Sequence, residues 1–382
     1  MRSPASAPLL IITQGHAGDR LGAALAPALR NHFPDRELVG LGGERMRSAG
    51  IRLLARTDSL SAMGISGLLP KVPSILLTMR RAAARSRDPL PGCVIAVDVW
   101  QPLRFLHRFG PHLKELPHVC YLPPGPNFIG QSRVHAAAAK AFRAIVTPFP
   151  HQARLFEAAG GTVFPGAHAG LQTCREEAQP LPAGEREPIV AVLPGSRDLE
   201  VRYSLPVQLE AVRQIRSRYP ELEPVVSCAG DDVARLVARR FPGVRTSRNA
   251  RETMARARFG LICSGTAALE AAILGCPGVV TYHGSPLQRW EWNRFHVPGL
   301  ARLRAEGIAS PYISLPNILT GEELYPECLG VPADAVAEAA LGVLAQDPLA
   351  LRERLDAVNR ILAWEDAGEV VARATRHALS AT

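Results

Sequence analysis

Residues 259–270 read FGLICSGTAALE, an apolar run that turns on small residues into an alanine-rich segment. The apolar run predicts a buried strand, and the alanine-rich segment predicts a helix. Between them, Ser264, Gly265 and Thr266 carry small side chains or none, which leaves the backbone N–H groups of the helix start accessible to an anion such as a diphosphate. An ordinary capped turn fits the same residues. One helical turn later, Glu270 fits either a ribose contact or a surface position.

The same order of strand and helix recurs along the whole chain. Apolar runs in the first half are PLLIIT, LVGLGG, CVIAVDV, HVCYL, AIVTPF and GTVFPG, and those in the second half are IVAVLPGS, EPVVSCAG, VRTS, FGLICSG and GVVTYHG. Segments between them, such as DRLGAALAPALRNHF, place apolar residues at helical spacing, and we expect Asp19 to cap that helix. Continuous apolar strands separated by helices favour parallel sheets that are covered on both faces.

The length of 382 residues, 47% of them apolar, suffices for two domains of this kind. The charged, proline-containing stretch 172–188 lacks periodicity and is predicted to link them. We therefore expect a Rossmann-like domain over 1–175, a second one over 186–345, and C-terminal helices over 346–382 that pack on the first domain or on a partner chain. Ligands of parallel sheets bind beyond the carboxyl ends of the strands, so chemistry is expected in the turns that follow them.

The chain is basic, with a net charge of +9 and a sequence pI near 9.6. Nearly all of its cations are arginines, since lysine occurs only at Lys71, Lys114 and Lys140. The guanidinium fork suits phosphate ligands, anionic lipid headgroups or nucleic acid, and a genome-wide preference for arginine explains the composition equally well. No nucleic-acid-binding module is recognisable, so we expect no nucleic-acid partner.

Cysteine usage and hydropathy indicate the compartment. Seven cysteines are scattered along the chain without a C-x-x-C pair, as expected of reduced thiols in the core of a cytoplasmic protein. No stretch reaches the roughly 20 apolar residues of a membrane span, and the first apolar run is too short for a signal peptide. We expect a cytoplasmic protein whose membrane contact is peripheral.

Two further strand ends and one turn carry polar residues. In VLPGSRDLEV, Gly195 and Ser196 form a turn with Arg197 behind it, where the guanidinium can bridge a diphosphate or face solvent beside an N-cap serine. Asp98 ends the apolar run of VIAVDVWQP, the position of a general base or of a helix N-cap. Asn317 in YISLPNIL carries an amide at a turn, where it can orient a sugar or a phosphate.

In combination, these stretches resemble the lipid-A-disaccharide synthases. The matching motifs, in chain order from about residue 9 to 375, are VGLGGERMRSAGI, DSLSAMGISGLLPKVP, VIAVDVWQP, LPGSR, CSGTAALEAAILGCPGVVTYHGSPLQRW and YISLPNILTGEEL. The resemblance implies an α/β protein of GT-B fold, with two Rossmann-like domains whose parallel sheets face each other across a cleft and with a helical C-terminal tail. It also implies an inverting glycosyl transfer from UDP-2,3-diacylglucosamine to 2,3-diacylglucosamine 1-phosphate, which gives lipid A disaccharide 1-phosphate and UDP.

The family pattern also implies roles for individual residues. Asp98 would take the proton of the acceptor hydroxyl, Arg197 would meet the donor phosphates, Glu270 the ribose, and Asn317 would help to organise the catalytic site. The donor-binding set is Gly195, Ser196, Arg197, Ser264, Gly265, Thr266, Glu270 and Tyr282. We expect no metal and no other cofactor, since the chain contains no D-x-D pair, no H-E-x-x-H motif and no Cys/His cluster.

Departures from the family pattern concentrate on the acceptor side. QGHAGD carries Gly15 and Ala17 where the family has a glutamate and a serine, and the stretch 123–133, PPGPNFIGQSR, lacks the tryptophan pair. The acceptor-side candidates are His16, Asp19, Met63 and Asn127, of which His16 also fits a structural histidine in a turn. Two alternatives therefore stay open: a related GT-B transferase with a different glycolipid acceptor, and a non-catalytic scaffold that binds a nucleotide sugar.

Two segments suit a membrane surface. Residues 63–87 and 287–304 combine apolar side chains with arginines, as interfacial segments do, although amphipathic core helices with solvated basic faces show the same pattern. A glycolipid acceptor and a UDP-linked acylated amino sugar favour contact with the inner membrane. The sequence leaves open whether the chain forms a homodimer.

Overall fold

The computed structural model describes residues 6–57, 72–99, 106–123, 133–307 and 309–380. Contacts divide the chain into two units. The first contains the described residues up to Gln172 and those from Leu362 onward, and the second contains Thr173–Ile361. Each unit has its own parallel sheet and its own hydrophobic core.

The first unit is built on seven parallel strands. They are β1 (Leu9–Ile12), β2 (Leu38–Gly42), β3 (Arg52–Arg56), β4 (Cys93–Val97), β5 (His118–Tyr121), β6 (Ala144–Thr147) and β7 (Val163–Pro165). Their order in the sheet is β3-β2-β1-β4-β5-β6-β7. Chain order therefore reverses between β1 and β4, which lie side by side. In doubly wound sheets, ligands bind at this switch point, beyond the carboxyl ends of the two strands.

Helices cover both faces of this sheet. They are α1 (Gly15–His32), α2 (Glu44–Ser48), α3 (Val72–Arg85), α4 (Arg133–Ala141), α5 (Pro150–Ala158), α6 (Ala169–Glu177) and, at the end of the chain, α16 (Ala367–Ser380). A short 3-10 helix lies at Pro111–Leu113. Leu9 and Ile11 of β1 point into the core that includes α1 and α16, whereas Leu10 and Ile12 point into the core that includes α3. The alternation of side chains along a strand thus makes an all-apolar strand suitable for burial on both faces.

The second unit repeats the plan with β8 (Glu187–Leu193), β9 (Glu223–Ser227), β10 (Thr246–Ser247), β11 (Ala257–Cys263), β12 (Gly278–Tyr282) and β13 (Glu327–Leu329). Its helices are α7 (Asp198–Arg216), α8 (Asp231–Arg240), α9 (Ala250–Arg256), α10 (Thr266–Ile273), α11 (Pro286–Glu291), α12 (Val297–Ala305), α13 (Leu315–Thr320), α14 (Ala333–Leu344) and α15 (Pro348–Ile361). A 3-10 helix at Ala183–Glu185 precedes β8, and a π-helical turn at Trp292–His296 joins α11 to α12. The strand order is β10-β9-β8-β11-β12-β13, so that the switch point lies between β8 and β11.

The fold class predicted from the sequence is confirmed. Every predicted apolar run forms a strand, and the C-terminal region is helical. The sequence missed β3 and β13, each of which lies at one edge of its sheet. β13 has only three residues, and β3 begins and ends on exposed arginines, Arg52 and Arg56, so neither shows the continuous apolar run of a central strand.

One local prediction is wrong and another is wrong in part. The helix expected to start at Asp19 already starts at Gly15, after Gln14 in extended conformation. The predicted linker 172–188 contains the boundary between the units, which lies between Gln172 and Thr173. Its first residues are nevertheless helical, because Leu171 and Cys174 are buried at helical spacing and α6 continues to Glu177. The boundary between the two units thus falls within a helix.

The C-terminal helices, expected over 346–382 to pack on the first domain or on a partner chain, divide between the units. α15 packs against α10 and α13 in the second unit, whereas α16 packs against α1, β5 and β6 in the first. Val370, Val371 and Ala374 of α16 are fully buried in the core of the first unit. The last described helix is therefore an integral part of the unit that begins the chain.

Candidate functional site

Asp98 lies at the switch point of the first sheet. It follows β4 directly, its N–H donates to the carbonyl of Tyr121 at 2.9 Å, and its φ of +51° is in the left-handed region. Leu122, after the neighbouring strand β5, has a similar φ of +55°. Non-glycine residues adopt this conformation rarely, and it recurs at functional sites. Two neighbouring strands thus end in unusual backbone beside the position where a doubly wound sheet receives its ligand.

Asp98 as a whole residue is exposed, whereas Val97 before it is fully buried. The surrounding protein nevertheless removes part of the carboxylate's hydration, and this desolvation raises the pKa of Asp98 from 3.8 to about 6. An aspartate with this pKa is largely ionised at pH 7 and is a stronger base than an ordinary one. These properties suit removal of a proton from a hydroxyl group.

Of the four acceptor-side candidates, Asp19 is the one whose side chain belongs to the described part of the structure. Met63 and Asn127 lie outside the described residues, as does the side chain of His16, whose backbone forms the first turn of α1. Asp19 is buried and accepts hydrogen bonds from three backbone N–H groups at the start of α2: those of Gly43 at 2.6 Å, Arg45 at 2.9 Å and Met46 at 3.1 Å. A carboxylate placed there caps the helix and complements its dipole. The structure thus gives Asp19 a structural role, capping α2 rather than its own helix.

In the second unit, Glu200 organises the loop from Gly195 to Arg197. One carboxylate oxygen of Glu200 accepts from the backbone N–H groups of Ser196 at 2.9 Å and Arg197 at 3.1 Å, and the other lies 2.5 Å from Nη1 of Arg197. Gly195 has a φ of +118°, and a Cβ atom there would lie 2.5 Å from the Glu200 carboxylate, so only glycine fits. The backbone N–H groups of Ser196 and Arg197 are therefore occupied by Glu200. The half-exposed guanidinium of Arg197 is the group of this loop that can reach a ligand.

The turn at residues 264–266 offers the backbone donors instead. Gly265 precedes α10 with a φ of +142°, and no side chain caps this helix start. Thr266 is exposed, and no atom lies within 4 Å of the position that a Cβ of Gly265 would take. The open helix start can therefore receive an oxyanion.

The two loops are neighbours because β8 and β11 pair in parallel, with Leu193 opposite Ile262. Cys263 ends β11, and burial is the main reason why the pKa of its thiol is raised to about 12. The charge of Glu200 raises this pKa further, and the charge of Arg197 lowers it, so both side chains act at the end of β11. The open start of α10 and the guanidinium of Arg197 thus lie at one switch point.

Tyr282 ends β12, the next strand of the sheet. Burial raises the pKa of its hydroxyl, with a further contribution from the charge of Glu200. The following residue, His283, is buried, and its Nε2 lies 2.7 Å from the carbonyl of Val331. The predicted donor residues on the loops after β8, β11 and β12 are therefore brought to the same edge of the second sheet.

Glu270 lies one turn into α10 and is held by a buried arginine that the sequence analysis missed. Arg251 of α9 donates from Nε at 3.2 Å and from Nη2 at 2.7 Å to the same Glu270 oxygen. The carboxylate is 14% exposed. It thus remains accessible to a ligand.

Asn317 is fully buried, and its amide is fully engaged. Its Nδ2 donates to the carbonyl of Tyr325 at 2.7 Å and to Glu327 at 3.1 Å, while its Oδ1 accepts from the N–H groups of Leu324 and Tyr325. Contact with a ligand would require breaking these bonds. The catalytic assignment of Asn317 is therefore corrected to the internal support of the loop between α13 and β13.

Three polar residues on the buried side of α7 escaped the sequence analysis: Glu200, Ser204 and Gln208. Nε2 of Gln208 donates to the carbonyls of Leu193 and Leu261 and, at 2.8 Å, to Oγ1 of Thr281, so that one side chain contacts β8, β11 and β12. Ser204 exchanges hydrogen bonds with the backbone of His283. A signal was present in the sequence, because the three residues recur every four positions and share one helix face.

The described residues contain neither a metal site nor a membrane-spanning helix. Within them, no group of three or more His, Cys, Asp or Glu side chains has an arrangement that could hold a metal ion. None of the helices found there is long and apolar enough to cross a bilayer. Leu287 and Trp290 of α11 and Val297 of α12 are large apolar side chains exposed to solvent.

Comparison with known proteins agrees with this geometry. The family model described as lipid-A-disaccharide synthetase matches residues 9–122 and 171–353. The chain is 31% identical to a lipid-A-disaccharide synthase of Pseudomonas paraeruginosa, covering 91% of each chain, and 30% identical to that of Neisseria meningitidis, covering 96% of this chain and 97% of the other. Among solved structures, the glycotransferase of kitacinnamycin is similar in fold, with a TM-score of 0.59 at 11% identity over 98% of this chain and 99% of that one. The chain therefore belongs to the lipid-A-disaccharide synthase family and is a glycosyltransferase of GT-B fold.

Proposed function

We propose that the chain transfers a 2,3-diacylglucosamine unit from its UDP-linked donor to 2,3-diacylglucosamine 1-phosphate, with inversion at the anomeric carbon. The observation that carries the proposal is the uncapped start of α10 next to the Arg197 loop, since together they match the two phosphates of UDP. Membership of the family supplies the reaction type.

In this reaction Asp98 acts as the general base. As the acceptor oxygen forms its bond to the anomeric carbon, its proton passes to the Asp98 carboxylate, and the bond from that carbon to the UDP oxygen breaks. The raised pKa of Asp98 supports this role, because a base whose pKa approaches the working pH is ionised and accepts a proton readily. One displacement of this kind inverts the configuration.

The leaving UDP carries the negative charge that develops in the transition state. Arg197 and the N–H groups at the start of α10 are fixed donors for its phosphate oxygens, and Glu200 and Gln208 hold their loops in place. We propose that this set neutralises the diphosphate without a metal ion. Glu270 accepts hydrogen bonds from the ribose hydroxyls.

We also propose that the protein works in the cytoplasm against the inner membrane surface. Leu287, Trp290 and Val297 expose apolar area in a segment that also contains Arg289 and Arg302, a combination that favours an anionic bilayer interface. All seven cysteines are buried and free, as suits a reducing compartment. At this surface, acylated substrates bind while their acyl chains stay in the bilayer.

A second candidate keeps the donor and the chemistry but changes the glycolipid acceptor. Gly15 and Ala17, at the start of α1 beside the switch point of the first sheet, replace larger polar residues of the family pattern. Loss of those polar groups alters hydrogen bonding on the side assigned to the acceptor.

The test is UDP release by the purified protein with UDP-2,3-diacylglucosamine, in the presence and absence of 2,3-diacylglucosamine 1-phosphate. Release that depends on this acceptor supports the first candidate. Release that depends on another glycolipid supports the second. UDP binding without release, whichever glycolipid is supplied, contradicts both and leaves a scaffold that only binds.

A further inference from the structure

Arg251 is a buried arginine that contacts two carboxylates and has no role in the proposed reaction so far. Its guanidinium is 7% exposed and contacts two carboxylates, Glu270 at 2.7 Å and Glu177 at 2.5 Å, and it donates from Nη1 to Oγ1 of Thr173 at 2.9 Å. Glu177 and Thr173 belong to α6, Arg251 to α9 and Glu270 to α10. One side chain therefore joins α9 and α10 to the part of α6 that belongs to the second unit.

The geometry at Glu270 is asymmetric. Nε and Nη2 of Arg251 both donate to Oε1, so that the guanidinium fixes the position of this oxygen. An ionised carboxylate has about four acceptor sites on its two oxygens. Because the side chain is still 14% exposed, its remaining sites can accept hydrogen bonds from a ligand.

Such support lowers the cost of binding a ligand. An unsupported glutamate side chain loses rotamer freedom when a ligand orders it. Arg251 already holds the Glu270 side chain through its two hydrogen bonds before the ligand arrives. Glu177, which is mostly exposed, is held by the same guanidinium but on the solvent side.

We propose that Arg251 is a positioning residue for nucleotide binding, which holds the Glu270 carboxylate in place to accept hydrogen bonds from the ribose hydroxyls of a nucleoside diphosphate. The proposal rests on the proposed function, which places the ribose at Glu270, and it adds the residue on which recognition of the 2′-hydroxyl depends. Arg251 does not touch the nucleotide itself.

The experiment compares the affinity of the full chain for UDP with that for 2′-deoxy-UDP, which lacks one hydroxyl, by calorimetric titration. The native protein should bind UDP about tenfold more tightly or better, as expected for a hydrogen bond to a charged group. In Arg251→Gln, the affinity for UDP should fall to that for the deoxy nucleotide, while the latter stays nearly constant. Arg251→Lys, which keeps the charge and loses the fork, should retain part of the preference.

Two controls make the result specific. Arg256→Gln removes another arginine of α9, one that pairs with Glu187 near the surface, and should leave both affinities unchanged. In a Glu270→Gln background the preference for UDP should already be absent, and adding Arg251→Gln should change nothing further.

The outcomes separate this inference from the proposed function. Equal weakening of UDP and 2′-deoxy-UDP by Arg251→Gln, or no change in either, overturns the positioning role while UDP binding stands. A native protein that binds UDP without preference for the 2′-hydroxyl overturns it as well. Failure of the native protein to bind UDP at all overturns the proposed function and, with it, the inference.

Discussion

Lowering the pH from 7 to 5 should slow the transfer reaction, because Asp98 acts as a base only when ionised. Its pKa is raised to about 6, so activity is present above this pH and is lost as the pH falls through it. The ionised fraction of a group with this pKa is about 0.9 at pH 7 and about 0.1 at pH 5, so kcat/KM should fall about ninefold. An aspartate with its ordinary pKa of 3.8 would stay mostly ionised at pH 5, and the rate would hardly change.

The assay is the initial rate of UDP release at substrate concentrations below KM, from pH 4.5 to 8. The phosphate of the acceptor also titrates near pH 6, so the low residual activity of Asp98→Asn must be followed over the same range. The decline should disappear in this variant. A profile that is flat from pH 5 to 7 in the native protein, or a decline that persists unchanged in Asp98→Asn, would refute the assignment of the base.

Three further predictions concern single residues. Gly195→Ala should destabilise the second unit by about 2–4 kcal/mol and weaken UDP binding. The added Cβ strains the backbone and overlaps Glu200, whose carboxylate is displaced. Unchanged unfolding and unchanged UDP titration would contradict this prediction. Asn317→Ala should cost about 3 kcal/mol or more in unfolding free energy, since buried backbone groups lose their partners, and a loss below about 1 kcal/mol in urea unfolding would show that the amide is dispensable. Trp290→Ser should reduce sedimentation with anionic vesicles, whereas Leu349→Ser, which removes an even more exposed apolar side chain from α15, should not. Equal effects of the last two changes would remove α11 as the docking segment.

The central strands could be predicted from the sequence because each is apolar along its whole length. A strand such as Cys93–Val97 is buried on both faces of its sheet, and the hydrophobic pattern records this directly. The strand Arg52–Arg56 was missed because its exposed arginines interrupt the apolar pattern. The order of the strands was not predicted, because it depends on which strands pair after folding.

The candidate site was predictable where it depends on the backbone after a strand, and not where it depends on side-chain partners. Gly265 could be placed at a helix start from the sequence alone, and the structure adds that this start is open. The sequence did not indicate that Glu200 occupies the donors of the Arg197 loop, nor that Arg251 supports Glu270, because these pairs form only when helices pack. Contacts between distant side chains have no periodicity to reveal them.

The most direct test of the proposed chemistry is turnover and UDP binding by Asp98→Asn at pH 7. Asparagine tolerates the left-handed backbone of this position, so the variant should fold normally. We expect turnover to fall by about 10²–10⁴-fold while the dissociation constant of UDP stays unchanged, with Asp35→Asn, an exposed turn residue, as the active control. Turnover close to that of the native protein would contradict the account, because the proton of the acceptor would then need another base.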